Sequence, residues 1–164
     1  MPRLILPTTL VRASYLQGET ETALDEGRPT AWLEEAAADF TRFVERRRAV
    51  RELWGVPVTE LWFVDESNYI GTVMLRHRLT PALERAGGHL GYHVVTGHRR
   101  RGHATHMLAQ ARVACRELGL TEILVTCAED NIGSRRVIDA NGGVLDRIVD
   151  GEARYRLPTS QHGS

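Results

Sequence analysis

The chain has 164 residues, in which 21 Lys and Arg balance 21 Asp and Glu, so its formal net charge is zero. This length suits one domain, and 42% hydrophobic with 26% charged residues is ordinary for a globule, which excludes disordered, collagen-like and coiled-coil chains. The neutral net charge argues against a nucleic-acid binder. No apolar run reaches the ~18–20 residues of a membrane span, and the apolar stretch at the N-terminus is too short for the core of a signal peptide. We therefore expect a cytoplasmic protein with a single domain over 1–158 and a flexible tail at 159–164, binding neither nucleic acid nor membranes.

Cysteine and lysine usage support this setting. Cys115 and Cys127 lie in apolar segments and predict buried free thiols in a reducing compartment. Every Lys/Arg position is Arg, which indicates coding bias in a GC-rich genome and fits a bacterial source. Without lysine, the chain has no side-chain amine for Schiff-base chemistry.

The first half of the chain predicts helices followed by a hairpin. Residues 4–6 predict a short strand, a helical stretch runs on through Tyr15, and residues 18–30 predict a long loop. Thr30 is expected to cap one continuous helix that ends at the arginines 46–48, since its apolar residues recur every three or four positions. Residues 61–64 and 69–75 predict a hairpin, because two apolar runs flank a polar turn.

The second half alternates strands and helices. The predicted elements are a strand at 89–95, a long amphipathic helix at 104–118, a buried strand at 123–128, a short helix capped by Asp130 or Asn131, and a hairpin at 144–157. This order predicts an α/β (α+β) fold with a mixed, mostly antiparallel central sheet of about six or seven strands flanked by about four helices.

A candidate anion site lies between the strand at 89–95 and the long helix. The segment Arg99-Arg100-Arg101-Gly102-His103-Ala104 places a glycine and three cations at a helix N-terminus. The first N–H groups of a helix have no intrahelical partner, and a glycine lets a phosphate approach the backbone closely. By itself this segment is equally compatible with an ordinary basic loop.

The elements around this segment favour the anion site over an ordinary basic loop. Arg-x-x-Gly-x-Ala after a strand and before a helix, followed by a second strand and by Asn131-x-x-Ser134, resembles the GCN5-related N-acetyltransferase (GNAT) family over about residues 61–157. The resemblance implies a GNAT-like fold with acetyl-CoA bound between two diverging strands, its pyrophosphate on the backbone of 100–104 and its pantetheine arm along the strand at 92–94. The residues then expected to bind the cofactor are Tyr92, His93, Val94, Arg99, Arg100, Arg101, Gly102, His103, Ala104, Asn131 and Ser134.

The catalytic acid and base of the family are missing at their usual positions. The resemblance places a tyrosine, the general acid, where this chain has Ile138, and a glutamate, the general base, at about Gly88. Either proximity carries much of the rate or other residues serve. The candidate catalytic residues are His89, Tyr92 and Glu129, with His93 and Arg76 as further replacements.

A metal is not expected. Six of the seven histidines lie between His77 and His106, but no cysteine or carboxylate completes a ligand set around them.

The function expected is therefore acetyl-CoA-dependent N-acetylation of a primary amine, by direct transfer in a ternary complex. The acceptor is a small molecule or peptide whose identity the sequence does not reveal, and the enzyme is a possible homodimer. One alternative is a CoA-binding regulatory or catalytically degenerate module, which the missing acid and base would suit. A nucleic-acid binder using residues 99–101 is a third reading, against which the neutral charge counts.

Overall fold

A computed structural model of the chain describes residues 1–160. The described strands are β1 (Arg3–Ile5), β2 (Arg51–Leu53), β3 (Val56–Asp65), β4 (Asn68–Arg76), β5 (Leu90–Val94), β6 (Glu122–Ala128), β7 (Val144–Val149) and β8 (Glu152–Pro158). The described helices are α1 (Arg12–Asp25), α2 (Ala31–Ala38), α3 (Phe40–Arg48), α4 (Pro81–Arg85), α5 (His103–Glu117) and α6 (Ile132–Ala140).

The strands form two antiparallel sheets that meet at a single point. The first sheet has the order β1-β3-β4-β5, with β2 also paired to β3, and the second has the order β6-β8-β7. Gly88 bridges Val125, and the His89 N–H donates to the Leu124 carbonyl at 2.9 Å. Within residues 1–160 no other ladder joins β5 to β6, so the edge of β5 beyond this bridge faces a gap.

The predicted α/β fold with mostly antiparallel strands is confirmed, although the chain forms more elements than its sequence indicates. The described residues contain eight strands and six α-helices, against about six or seven strands and four helices expected. The additional strand β2 pairs with β3 through a tight turn in which Trp54 and Gly55 both have positive φ.

The long loop predicted at 18–30 is wrong, because α1 continues to Asp25. The Thr22 hydroxyl donates to the Gly18 carbonyl at 2.7 Å and accepts the N–H of Thr96 at 3.0 Å. Gly18 also lies directly against the Val95 side chain. The contacts of α1 with Val95 and Thr96 outweigh the low helix propensity of Gly and Thr.

The single helix predicted after Thr30 is two helices. Asp39 has a non-helical backbone and caps α3 by accepting the Arg42 N–H at 3.1 Å, so the chain turns between α2 and α3. Thr30 precedes α2, but its side chain makes no capping hydrogen bond. The break leaves the predicted apolar face buried, because Leu33 and Phe40 both enter the core.

Core residues cover both faces of the first sheet. On one face α1, α2 and α3 bury an aromatic cluster in which Tyr15 stacks on Trp62 at 4.3 Å and meets Tyr69 edge-on at 4.6 Å. On the other face α5 and the second sheet bury aliphatic side chains, among them Met107, Leu108 and Ile138.

The two cysteines are unpaired, and the described end of the chain packs against the fold. Both cysteines are free, with Cys115 buried and Cys127 half-buried. Thr159, the first residue of the predicted tail, is buried and donates its hydroxyl to the Leu120 carbonyl at 2.7 Å, so it packs with the fold. Residues 161–164 of that tail lie outside the described residues. No helix within 1–160 is long and apolar enough to cross a membrane.

Candidate active site

The loop between β5 and α5 has the backbone of an anion-binding turn. Arg100 has φ +62° and Gly102 has φ +79°, and Gly102 is the residue that precedes α5. A Cβ on Gly102 would meet nothing within 4 Å, so the space above this backbone is open. The unpaired N–H groups at the start of α5 and the helix dipole make this space favourable for a phosphate.

A cavity of about 580 Å³ begins at this loop and extends along β5 to α6. It is lined by all the predicted cofactor-binding residues except Arg101, whose side chain is exposed to solvent outside the cavity. Five further residues line it: Glu26, His98, Thr105, Gly133 and Val137. Of these, Val137 lies one helical turn after Ser134, so its position could have been predicted from the sequence spacing. Glu26 follows α1, far from the loop in sequence, and nothing in the sequence indicates that it lines the cavity.

Arg99 is held in place by two contacts. Its Nε donates to the Val94 carbonyl at 2.8 Å, and its Nη2 donates to Glu26 Oε1 at 2.7 Å. The Arg99 guanidinium, together with Arg28, lowers the pKa of Glu26. Arg99 thus joins the end of α1 to β5, and part of its charge is neutralised by a carboxylate inside the cavity.

The dimensions and donors of the cavity fit a CoA molecule. Its open glycine backbone, the arginines beside it and the unpaired edge of β5 match a pyrophosphate and an extended, amide-containing arm. The Tyr92 hydroxyl is a buried polar atom without a hydrogen-bond partner in the described structure. Burial raises the pKa of Tyr92, although the nearby Ser134 hydroxyl opposes this shift.

Asn131 has part of its side chain already in use. Its Oδ1 accepts the Ser134 N–H at 3.1 Å and so caps α6. The Nδ2 group is the part that remains for a ligand.

A second cavity of about 320 Å³ lies against the first sheet and shares Tyr92 and His93 with the first cavity. Its other lining residues are Tyr15, Glu19, Arg28, Trp32, Arg47, Glu60, Thr72, Met74 and Gly91. Glu60 is fully buried and accepts hydrogen bonds from Arg47, Arg51 and Trp62 at 2.7–3.0 Å. The carboxylate of Glu60 is therefore committed to holding the sheet and α3 together.

Glu19 is the other buried carboxylate of this cavity. Its Oε1 lies 2.7 Å from His93 Nε2 and accepts the Tyr69 hydroxyl at 2.6 Å. Burial alone would raise the pKa of Glu19, but hydrogen bonds from His93 and Tyr69 and the nearby charges lower it overall. Sequence reasoning missed Glu19, because its partner His93 is 74 positions away.

Two of the predicted catalytic residues line neither cavity. The His89 Nδ1 accepts the Leu124 N–H at 2.9 Å, and burial together with Arg76 lowers the pKa of His89. Glu129 is exposed, and its backbone bonds to Gly151 and Arg135. His89 is thereby built into the junction of the sheets, whereas Tyr92 and the further candidate His93 both line the two cavities.

The positions of the missing acid and base have structural explanations. Ile138 is completely buried in the core beneath α6 and lines neither cavity. A Cβ on Gly88 would overlap the Leu124 carbonyl oxygen at the bridge between the sheets. A glutamate at position 88 would therefore disrupt that bridge.

Within residues 1–160 no group of three or more His, Cys, Asp or Glu side chains is arranged to hold a metal ion.

Structural comparison finds acetyltransferases that cover nearly the whole chain. The microcin C7 self-immunity acetyltransferase MccE, solved with acetyl-CoA and AMP, is 15% identical with a TM-score of 0.64, covering 94% of this chain and 91% of its own. RimJ of Mycobacterium smegmatis, solved with CoA-disulfide, is 16% identical with a TM-score of 0.63, covering 96% and 85%. The GNAT domain of S. lividans PAT is 19% identical with a TM-score of 0.60, covering 96% and 89%. At these identities the likeness shows a shared fold.

The family is shown by the sequence itself. No curated protein matches the chain. The model of the acetyltransferase (GNAT) domain family, however, matches residues 12–144, most of the chain. The predicted family is confirmed: this chain belongs to the GNAT acetyltransferases, enzymes that take their acetyl group from acetyl-CoA.

Proposed function

We propose that the enzyme transfers the acetyl group of acetyl-CoA directly to a primary amine of a small molecule or peptide, within a ternary complex. The observation that carries this proposal is the meeting of two cavities at Tyr92 and His93. A donor in the larger cavity and an amine in the smaller one would share this boundary, which suits direct attack. The residues that line the cavities include no cysteine, so no thiol is available there for a covalent acetyl-enzyme.

The larger cavity would hold the donor. The backbone of 100–104 would bind the pyrophosphate, and Asn131 and Ser134 would bind nearer the thioester. The edge of β5 at 92–94 that faces the gap would pair with the pantetheine amides, beside the Val94 carbonyl that already accepts a hydrogen bond from Arg99. Bound acetyl-CoA supplies an activated thioester. Orienting an amine against such a carbonyl contributes about 7–11 kcal/mol to lowering the barrier.

Tyr92 is the proposed acid for the departing thiolate. Its hydroxyl is buried, lacks a partner and lies at the boundary of the cavities, and its raised pKa keeps it protonated at neutral pH. His89 and Glu129 stay as predictions, but their contacts outside the cavities favour Tyr92.

The purified chain tests this proposal in an assay of thiol release from acetyl-CoA with a panel of primary amines and peptides. We expect saturable release that depends on the amine, and a lower kcat in Tyr92→Phe with little change in the KM for acetyl-CoA. Tyr155→Phe is the matched control, because that hydroxyl accepts a hydrogen bond from Arg135 outside both cavities.

One observation favours a second candidate function. Ile138 is buried and Gly88 is crowded, so neither of the usual positions can supply a catalytic acid or base. A CoA-binding regulatory module would need neither group. CoA binding without release that depends on any amine would support that module and contradict the enzyme.

The proposal includes a cytoplasmic location and a homodimer. Support for the dimer is the edge strand β7, all of whose residues are exposed, including Val144 and Leu145. Unpaired edges of this kind readily pair with a second chain. Light scattering of the purified protein decides between monomer and dimer.

A further inference from the structure

Glu19 is a buried acid that the donor site does not use. It lies in the middle of α1 and is 2% exposed, and carboxylates are rarely buried this deeply without a partner. Its two partners are Tyr69 from β4 and His93 from β5. The only one of the three that both cavities reach is His93, whose side chain is 40% exposed.

The hydrogen bonds determine the form of the imidazole. The pKa of Glu19 is lowered, so at neutral pH its carboxylate only accepts hydrogen bonds. A neutral His93 must then carry its proton on Nε2, which leaves the lone pair on Nδ1. No hydrogen bond to His93 Nδ1 occurs within residues 1–160, whereas His89 uses its Nδ1 to accept the Leu124 N–H.

We propose that the smaller cavity is the acceptor pocket, that His93 Nδ1 is the base that deprotonates the amine there, and that Glu19 is the positioning residue that holds the ring in this tautomer. This inference rests on the proposed function, since it assigns a base to that reaction. Tyr69, which also contacts Thr72, fixes the Glu19 carboxylate in turn.

Acetylation begins with a proton transfer. His93 Nδ1 takes one proton from the ammonium and becomes imidazolium, which Glu19 stabilises. The amine lone pair forms a C–N bond to the acetyl carbon, and the C–S bond breaks with its electron pair going to sulfur. Tyr92 gives its proton to the thiolate, the extra proton of the amide nitrogen replaces it on Tyr92, and His93 returns its proton to solvent. The products are the N-acetyl amine and CoA.

Other charged groups around the smaller cavity are paired among themselves. Glu60 accepts from Arg47 and Arg51, and Arg28 pairs with Glu26 while its charge also helps to lower the pKa of Glu19. Tyr15 and Tyr92 line the same cavity, and burial raises the pKa of each phenol, so both are neutral. On the donor side, Glu26 also pairs with Arg99, while His98, Arg100 and His103 lie around the phosphate loop. Glu19 is therefore the carboxylate bonded directly to His93.

The test is the pH dependence of kcat/KM for the amine at saturating acetyl-CoA. The wild type should show a limb that rises between pH 5 and 8, the range in which histidine loses its proton. His93→Ala should lose that limb and about 10²–10⁴-fold in kcat/KM at pH 7. Glu19→Gln still accepts a hydrogen bond but lacks the charge that stabilises imidazolium, so it should lower kcat by less than His93→Ala does and leave the KM for the amine unchanged.

The matched control is Glu21→Gln, an exposed residue on the same helix that bonds only to Gln17. Its profile should match the wild type. The KM for acetyl-CoA should hold steady in Glu19→Gln and Glu21→Gln, because neither residue lines the larger cavity. Added imidazole should restore part of the rate of His93→Ala.

Different results would contradict the roles of His93 and Glu19 and the proposed acetyltransferase function. A wild type that acetylates amines, together with a His93→Ala variant that keeps the limb and most of the rate, overturns the base and leaves the proposed function standing. A Glu19→Gln profile identical to the wild type overturns the positioning role. If the wild type binds CoA but acetylates no amine, the proposed function fails and this inference fails with it.

Discussion

Ile138 shows at the scale of one residue why a catalytic tyrosine cannot simply be restored. Its side chain is 0% exposed and packs against Gly143, so a larger ring has no space. We expect Ile138→Tyr to lower the free energy of unfolding by about 1–3 kcal/mol through overpacking, without raising kcat. Ile138→Val is the control and should cost only about 0.5–1.5 kcal/mol.

Urea unfolding and steady-state assays of both variants check this expectation. A Tyr variant with higher kcat and unchanged stability would show that position 138 reaches the donor cavity after all.

Glu19 should also affect acid stability. Because its pKa is lower in the folded chain than in the unfolded chain, its contribution is present above the unfolded value and is lost as the pH falls through the folded value. We expect the wild type to lose stability more steeply than Glu19→Gln as the pH falls from about 5 toward 3. Unfolding curves at stepped pH measure this, and parallel curves for the two proteins would contradict it.

Residues were predictable from sequence where the signal is local. Gly102 lies between a strand and an amphipathic helix, so short-range spacing predicted the loop that lines the larger cavity. Glu19 was not found, because a glutamate in a helix ordinarily faces solvent and only the fold brings it to His93. The contact of His89 with the Leu124 N–H could not be predicted for a related reason, because Leu124 belongs to a distant strand.

At the scale of elements, the junction of the sheets at Gly88 shapes the gap beside β5. Gly88 has φ +62°, and an added Cβ would overlap the Leu124 carbonyl. We expect Gly88→Ala to destabilise the fold by about 1–3 kcal/mol, because it combines backbone strain with this overlap.

Gly97→Ala is the matched control, since a Cβ there meets nothing within 4 Å. It should change stability by no more than about 0.5 kcal/mol. Equal chemical denaturation midpoints for the two variants would contradict the role assigned to Gly88.

Elements with strong periodicity, such as α5 and the hairpin of β7 and β8, were predicted close to their bounds. Those that depend on tertiary contacts were not. The second half of α1 contains Gly and Thr and is helical because Thr22 and Val95 hold it against the sheet. The turn at Asp39 leaves the apolar period intact, so periodicity alone cannot reveal it.

At the scale of the whole molecule, β5, the start of α5, α6 and Glu26 together line the cavity at Gly102, and we propose that this cavity binds CoA. Such binding stabilises the folded chain relative to the unfolded chain, which has no cavity.

The most direct test is thermal unfolding with CoA, pantetheine or no ligand. At about 100 times its dissociation constant, CoA should stabilise the fold by about 2.7 kcal/mol. For this chain length that raises Tm by roughly 5–10 °C. Pantetheine lacks the pyrophosphate and should do much less. Gly102→Glu should abolish the shift, whereas Gly119→Glu, with a similar φ of +89° and an open Cβ position, should keep it. No shift at millimolar CoA, or a Gly102→Glu variant that responds like the wild type, would contradict the account.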